Sequence, residues 1–279
     1  MQLRALARNR KAGSYPELKS KIAEITIAYQ RYLQYFLGGP AAIEPIGLHA
    51  TLAKRLIAHY DHPPKSHDYI PVLREYAEAL TCPMCGSPSC GTLDHLMPKE
   101  YFPEFSLYSR NLVPACLCNS KRKSTFKSSD GSRILHPYFD AILSQRLIGC
   151  VFNDHEKAPS LRIFNKLPLA HPEFGSVQFH IDKVVLRTGL KKALRRDWAK
   201  LMRKPSTIIR DLKITPHSHG SLIQILEREL ATLDDSYESL NNWSSIFVGG
   251  LLAPHTSAWL FQQMTRSGRG NDDPVLEAL

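Results

Sequence analysis

Two short groups of cysteines, about thirty residues apart, are the side chains best suited to hold a metal ion in this chain. Cys82 and Cys85 have the spacing of a zinc knuckle. Cys116 and Cys118 form a second pair, which is one residue tighter. Two such pairs can surround one Zn²⁺ tetrahedrally, with Zn–S distances of roughly 2.3 Å. The spacing predicts a structural zinc held by these four thiolates, with Cys90 as the alternative to one of the later pair.

An acid and an imidazole in sequence, Asp94-His95, lie between the two cysteine pairs, within a run at 92–96 that predicts a short strand. A neutral imidazole can take a proton from water near neutral pH, so His95 is a candidate general base. The side-chain oxygens of Asp94 and Asn119 are hard ligands, which Mg²⁺ and Mn²⁺ prefer. A general base beside a hard cation is the chemistry that hydrolyses a phosphodiester bond.

These elements occur in the order Cys-x-x-Cys, Asp-His-x-x-Pro-Lys, Asn-Leu-Val-Pro-Ala-Cys and Cys-Asn followed by basic residues, over residues 80–140. The ordered set resembles the HNH endonucleases, which have a ββα-metal fold. The resemblance implies that His95 is the general base and that Asp94 and Asn119 bind the catalytic Mg²⁺ or Mn²⁺. It also implies that Asn111 holds the histidine loop through hydrogen bonds. On this interpretation, His95→Ala abolishes cleavage while zinc content and melting temperature stay nearly unchanged.

Three segments, LDHLMPKEYFPEF, NLVPAC and LHPYFD, more narrowly resemble bacterial HNH proteins linked to anti-phage defence, such as those of the Septu type. Some of those proteins work beside an ATPase, so the resemblance also implies an ATPase as a candidate partner subunit. The last segment contains His136, which we expect to pack against the HNH unit rather than to reach the site.

Basic residues give the chain a formal net charge of +10 and an isoelectric point near 9.3, which favours a polyanionic partner. We expect five basic residues close to the candidate site to contact backbone phosphates: Lys99, Lys121, Arg122, Lys123 and Lys127. Those on a predicted amphipathic helix after Gly189 are Lys191, Lys192, Arg195 and Arg196. A solvated basic face is the alternative interpretation of each set. We expect nucleic acid as the partner, and DNA before RNA.

Three functions are compatible with these residues. The first is a metal-dependent HNH endonuclease that cuts DNA as a bacterial defence effector. The second is the same chemistry on RNA, such as tRNA, because nothing in these residues separates recognition of a 2′-hydroxyl group from DNA binding. The third is a zinc-stabilised nucleic-acid-binding subunit without hydrolysis, for which His95→Ala would leave every function intact.

An α+β fold is expected, with a central zinc-stabilised ββα-metal HNH unit between an N-terminal helical region and a C-terminal region of strands and helices. The expected regions are a helical part at 1–79, the HNH domain at 80–140, an α/β part with the basic helix at 141–265 and a flexible tail at 266–279. Apolar residues at three- and four-residue steps predict N-terminal helices over 18–32, 48–60 and 71–80. Short apolar runs at 147–152 and 161–164, and an alternating run at 176–182, predict strands.

Membrane insertion is not expected, because no apolar run is long enough for a membrane helix. The N-terminus carries Arg4, Arg8, Arg10 and Lys11, but no apolar signal segment follows them. A cytoplasmic placement with reduced thiols is the expectation, and it favours zinc binding over disulfides for the cysteines.

Overall fold

The structure is a computed structural model that describes residues 2–38, 43–155 and 159–276. The described residues form helices and two small antiparallel sheets, which confirms the expected α+β class. The chain divides into two compact units. The first comprises Met1–Met84 with Ser89–Ala141, and the second comprises Cys85–Pro88 with Ile142–Leu279. The predicted N-terminal helices and most of the predicted HNH segment therefore lie in the first unit.

Helices make up the N-terminal part of the first unit. They are α1 (Gln2–Arg8), α2 (Glu17–Phe36), α3 (Ala50–Asp61) and α4 (Tyr69–Glu78). Their apolar stripes meet in one core, which includes Ile25 of α2, Leu56 of α3 and Ile70 of α4. Burial of these side chains stabilises each helix more than its own sequence propensity does. The three helices predicted from the apolar spacing are present.

The helix ends lie close to the predicted ones. Helix α2 runs to Phe36, four residues beyond the predicted 18–32, and Gly38 follows its C-cap with φ +82°, a conformation that favours glycine. Helix α4 begins at Tyr69, because Pro71 is accommodated inside the first turn, where its missing N–H group has no partner to lose.

A small antiparallel sheet and a one-turn helix carry the candidate site in the first unit. Strand β1 (Thr92–His95) pairs with β2 (Leu112–Ala115), with His95 opposite Leu112. Helix α5 (Cys118–Lys121) follows β2 almost directly. Leu93 and Leu112 join the core of the N-terminal helices, which fixes the sheet on that core. The order strand, strand, helix is the one that the HNH resemblance implies.

The second unit combines a hairpin with helices. Its elements are β3 (Ile148–Asn153), β4 (Ser160–Asn165), α6 (Phe174–Lys183), α7 (Leu190–Arg203), α8 (His219–Ser236), α9 (Trp243–Leu251) and α10 (Pro254–Met264). Helix α9 packs closely on β3. Gly250 permits this approach, since a Cβ at this position would lie 2.5 Å from the Phe152 ring. Helix α7 is the predicted basic helix, and Leu194, Trp198 and Leu201 form its buried stripe. Short 3₁₀ turns of the chain lie at Lys65–His67, Pro103–Phe105, Ser109–Asn111, Ala141–Ser144, Val185–Arg187, Pro205–Thr207 and Arg210–Lys213.

The strand predicted at 176–182 is wrong, because this run belongs to helix α6. The buried residues of α6 are Val177, His180 and Ile181, which share one face of a helix through three- and four-residue steps. The alternation of apolar and polar residues would place His180 on the solvent side of a strand, whereas its side chain is buried.

The C-terminal segment expected to be a flexible tail, 266–279, packs against the second unit over its described part. Ser206 donates its backbone N–H to Asp272 at 2.9 Å and its hydroxyl to the same carboxylate at 2.6 Å. Val275 is fully buried. Residues 277–279 lie outside the described residues. Within the described ranges, no helix combines the length and the apolar character that crossing a membrane requires.

Candidate active site and cysteine cluster

The four cysteines predicted to bind zinc lie together. The Sγ atoms of Cys82, Cys85, Cys116 and Cys118 are all within 4.8 Å of one another. The Sγ atoms of Cys82 and Cys118 are 3.7 Å apart, close to the separation of roughly 3.8 Å that a tetrahedron with Zn–S distances of about 2.3 Å requires. Backbone N–H groups of Cys116 and Cys118 also point at sulfurs of the group, both at 3.3 Å. These four residues, called the cysteine cluster below, can hold a metal ion such as Zn²⁺.

Cys90, the alternative ligand, is buried next to the cysteine cluster but is not one of its members. A hydrogen bond with Cys82 raises the pKa of the Cys90 thiol, and burial raises it further. The neighbouring Cys90 thiol can donate a hydrogen bond to a sulfur of the cluster. The structure thus assembles the set that contains Cys118.

His95 lies at the end of β1 with its imidazole ring buried and fixed. Its Nε2 atom is 3.0 Å from the backbone carbonyl oxygen of Ser106. A carbonyl oxygen only accepts, so Nε2 carries the proton of the neutral ring and Nδ1 carries the lone pair. Nδ1 is 3.8 Å from the Asp94 carboxylate and has no hydrogen-bond partner among the described residues. The Tyr60 ring packs edge-on against the imidazole, with centroids 4.3 Å apart.

Asp94 is the partly exposed carboxylate of the site. Its Oδ1 atom accepts a hydrogen bond of 2.7 Å from the backbone N–H of His95. Burial raises the pKa of Asp94, but the side chains of His95 and Asn119 and the His95 N–H group lower it more, to about 2. The group is therefore a carboxylate at neutral pH, with one negative charge beside the imidazole.

Asn119, on α5, uses both ends of its amide within the protein. Its Nδ2 atom donates to the carbonyl oxygen of His95 at 2.9 Å. Its Oδ1 atom accepts from Nε of Arg122 at 2.6 Å. Arg122 is buried and also donates to the carbonyl oxygens of Thr125 at 2.7 Å, of His95 at 3.1 Å and of Leu96. These hydrogen bonds fix the backbone that carries the candidate base.

One sequence-based role, that of Arg122, changes as a result. Arg122 was expected to contact phosphate, but its guanidinium is enclosed by protein acceptors, and burial lowers its pKa to about 10. Asn119 stays a predicted ligand of a catalytic cation, because its oxygen accepts one hydrogen bond from Arg122 and has a second lone pair. The carboxylate of Asp94 is a hard ligand that suits the same cation. Across the described ranges, the cysteine cluster is the only group of three or more Cys, His, Asp or Glu side chains close enough to share an ion.

Asn111 holds the loop that follows His95. Its Oδ1 atom accepts from the backbone N–H of Met97 at 2.7 Å, and its Nδ2 atom donates to the carbonyl oxygens of Met97 at 3.1 Å and Phe105 at 3.3 Å. The Leu96 N–H group adds a bond to the Asn111 carbonyl oxygen at 2.8 Å. These bonds fix the backbone from the end of β1 to the start of β2.

A buried polar network supports Asn111 from behind. The Tyr32 hydroxyl of α2 is 3.2 Å from Oδ1 of Asn111 and 3.0 Å from Nε2 of His136. Asp140 accepts from the His136 N–H group and pairs with Arg133 through two contacts of 2.6 Å. The LHPYFD segment therefore packs as expected, and it links α2 to the loop of the candidate site.

The buried His136 predicts a loss of stability in acid. Its Nδ1 atom accepts from the Tyr138 N–H group, and burial lowers the pKa of the ring to about 3 from 6.5. The unfolded chain then binds more protons below pH 6.5, so the free energy of unfolding falls as the pH drops from about 6.5 towards 3. The slope approaches about 1.4 kcal/mol per pH unit.

Urea unfolding of the protein and of His136→Gln between pH 4.5 and 7.5 measures this slope. We expect a clearly flatter acid limb in the variant. The slope that remains reflects other groups such as His67, whose pKa burial lowers to about 4. Parallel acid limbs for the two proteins would contradict the assignment.

A cavity of about 550 Å³ opens over the site in the first unit. Asp94, His95 and Asn119 line it, together with Lys99 and Lys123. Lys99 lies with Nζ 4.9 Å from the centroid of the Tyr60 ring and 3.5 Å from Asp61. The exposed predicted phosphate contacts are Lys121, Lys123 and Lys127 in the first unit, and Lys191, Lys192, Arg195 and Arg196 on α7 in the second.

Sequence reasoning missed three partners of the base. Ser106 contributes only a backbone carbonyl, for which no side-chain pattern exists. Tyr60 ends the helix predicted at 48–60, and its contact with His95 depends on how that helix packs. The enclosed position of Arg122 had one signal, its three-residue distance from Asn119 along a helical turn.

Comparisons with known proteins give a limited match. No protein-family model matches the chain, and no solved structure matches it. Over 62 residues the chain is 39% identical to protein ea31 of Escherichia phage lambda. The matched segment is 21% of this chain and 21% of the phage protein, so the chain is similar to that protein over about a fifth of either length.

Proposed function

We propose that this protein is an HNH-type endonuclease that hydrolyses phosphodiester bonds in nucleic acid, with His95 as the general base. The observation that carries the proposal is the fixed imidazole, whose Nε2 donates to the Ser106 carbonyl oxygen and whose Nδ1 lies 3.8 Å from the Asp94 carboxylate. The strand–strand–helix order around the base and the adjacent cysteine cluster support the same function.

In the proposed reaction, Nδ1 of His95 takes a proton from water as the water oxygen attacks phosphorus in line with the leaving oxygen. The imidazolium that forms is stabilised by the ionised carboxylate of Asp94, 3.8 Å away. The P–O bond to the leaving oxygen breaks, and that oxygen takes a proton from solvent. The Ser106 carbonyl and the Tyr60 ring hold the imidazole in place before substrate binds, which lowers the entropic part of the barrier.

Mg²⁺ or Mn²⁺ is the proposed catalytic cofactor, with Asp94 and the second lone pair of the Asn119 oxygen as its proposed protein ligands. Such an ion, when bound, stabilises negative charge on the scissile phosphate and on the leaving oxygen. Asn119 also has a positioning role in this proposal, because its amide joins the His95 carbonyl to Arg122. Zn²⁺ in the cysteine cluster is the proposed structural ion.

Two adjacent basic residues separate phosphate binding from folding. Lys123 is exposed at the cavity, whereas Arg122 is enclosed by acceptors. We expect Lys123→Ala to change the free energy of unfolding by less than about 0.5 kcal/mol. The slope of log affinity against log salt concentration for DNA binding should fall by the amount that corresponds to about one phosphate contact. Arg122→Ala should instead lower the free energy of unfolding by about 3 kcal/mol, because it leaves several buried carbonyl groups without donors.

Denaturant unfolding and binding titrations at several salt concentrations test this pair. Equal destabilisation by both substitutions would contradict the division of roles, as would a Lys123→Ala variant with an unchanged salt slope.

A substrate panel tests the proposed function directly. Purified protein is incubated with supercoiled plasmid, linear DNA and total RNA, without added cation, with Mg²⁺ or Mn²⁺, and with EDTA. We expect cation-dependent cutting, with DNA before RNA as the substrate. Cutting of RNA alone would favour the tRNA-type nuclease, for which the site chemistry is the same. Binding without cutting under every condition, also with partners present, would favour the non-catalytic subunit.

A role in anti-phage defence, beside an ATPase subunit, is the biological setting that we propose. It rests on the resemblance of LDHLMPKEYFPEF, NLVPAC and LHPYFD to defence-linked HNH proteins. Co-purification from the native host followed by an ATPase assay tests it. A protein that cuts nucleic acid without any partner, and with which no ATPase co-purifies, would argue for a stand-alone effector.

A further inference from the structure

An exposed aromatic ring, that of Tyr101, lines the cavity over the candidate base. The side chain of this residue is 60% exposed, and it shares the cavity wall with Asp94 and His95. Of the large apolar or aromatic side chains that are exposed in the described ranges, Tyr101 is the one that lines this cavity. Its ring stacks on no other aromatic ring of the described residues, and its hydroxyl group has no hydrogen bond there. More than half of this residue is therefore accessible to a ligand in the cavity.

The backbone beneath the tyrosine is fixed, so the ring is presented from a rigid support. The N–H groups of Tyr101 and Phe102 both donate to the carbonyl oxygen of Pro98, at 3.1 Å and 2.9 Å. The neighbouring Phe102 is buried and stacks on Phe105 with ring centroids 5.9 Å apart. A tyrosine on such a support loses only the freedom of two side-chain torsions on binding, which makes it an efficient contact residue.

Two lysines line the same cavity as the ring, together with the acidic residues Asp94 and Glu100. Lys99 is held by Tyr60 and Asp61, and Lys123 is exposed. An aromatic face beside lysines is the combination with which proteins bind single-stranded nucleic acid, because the lysines follow the phosphates and each base stacks on a ring. A base inside a duplex offers only its edges, and its faces become available after it leaves the stack.

We infer that Tyr101 stacks on an unpaired base next to the scissile phosphate, so that the preferred substrate is single-stranded or locally unpaired nucleic acid. This inference rests on the proposed function for the position of the scissile phosphate. The contact is the same for DNA and RNA, since both offer the flat face of a base.

Binding of labelled oligonucleotides tests the inference without requiring cleavage. The parent protein is His95→Gln, which keeps a donor for the Ser106 carbonyl and removes the base. A single-stranded DNA, the RNA of the same sequence and the corresponding DNA duplex are titrated without Mg²⁺ or Mn²⁺. We expect Tyr101→Ala in this parent to weaken single-strand binding about tenfold and duplex binding less than twofold. Tyr101→Phe, which keeps the ring, should lose far less single-strand affinity.

Tyr76 provides the matched control, because it is 63% exposed on α4 and does not line the cavity. We expect Tyr76→Ala to leave all affinities unchanged. Unaltered single-strand binding by Tyr101→Ala, an equal loss on single strand and duplex, or a parent that binds no single strand would each overturn the inference. A wild-type protein that cuts nothing but binds single strands through Tyr101 would overturn the proposed nuclease and leave the stacking site standing. An active nuclease in which Tyr101→Ala changes neither cutting nor binding would support the proposed function and overturn the stacking site.

Discussion

His95→Gln is expected to reduce phosphodiester cleavage by about 100-fold to 10,000-fold, the usual contribution of a general base. Glutamine places an amide N–H near the position of Nε2, so the bond to the Ser106 carbonyl oxygen can persist. It has no group that takes a proton from water at neutral pH. The initial rate of cutting under the most active condition of the substrate panel measures the loss.

The same histidine also shows why alanine is a poor choice for this experiment. From the sequence we expect His95→Ala to leave the melting temperature nearly unchanged, but the ring is 3% exposed and packs on Tyr60. Its removal opens a cavity and leaves the Ser106 carbonyl oxygen without a donor, which together cost a few kcal/mol. Retention of cutting by a folded His95→Gln variant would contradict the role as base.

Cys82→Ser is expected to lose the zinc and to lower the melting temperature on the order of 10 °C or more. A structural zinc contributes its binding free energy to folding, and each kcal/mol lost from a chain of this size lowers the melting temperature by a few degrees. Cys82 is fully buried and 3.7 Å from Cys118, so a serine hydroxyl there can neither bind Zn²⁺ as well nor fill the space. Elemental analysis for zinc and thermal unfolding of the purified variant measure both effects.

Two other buried cysteines provide the controls. Cys150 lies on β3 outside the cysteine cluster, and Cys90 lies beside the cluster without belonging to it. We expect Cys150→Ser and Cys90→Ser to keep one zinc per chain. A Cys82→Ser variant with full zinc content and stability would show that the ligand set is wrong, and loss of zinc from Cys90→Ser would move Cys90 into it.

The extent to which the sequence predicted the site depended on whether a side chain or the backbone does the work. Cysteine spacing identified the cysteine cluster, since four thiols in two pairs have few other uses in one short segment. The support of His95 by the Ser106 carbonyl could not be predicted, because a backbone group has no residue type. Arg122 was misassigned because its charge predicts exposure, and only the folded turn shows that carbonyl oxygens surround it.

Periodicity predicted most elements of the fold and failed where burial broke a simple pattern. The apolar stripes of α2 and α3 are strong, since they repeat over several turns. In α6 the buried polar residue His180 interrupts the apolar stripe, so a short alternation looked like a strand. The α+β class survived this error because the hairpin of β3 and β4 was predicted from continuous apolar runs.

The hydrogen bonds from Asn119 and Arg122 to the His95 carbonyl oxygen have a consequence for the use of chelators. Cys118, Asn119 and Arg122 lie within five consecutive residues. A member of the cysteine cluster is therefore on the same turn of chain as the two side chains that donate hydrogen bonds to the His95 carbonyl oxygen. If the cysteine cluster holds zinc, its extraction is expected to loosen these contacts and to abolish the proposed cleavage even while Mg²⁺ is present. Inhibition by a strong chelator is therefore ambiguous as a diagnosis of a catalytic cation here, and only separate restoration of zinc and of magnesium assigns the loss to one ion.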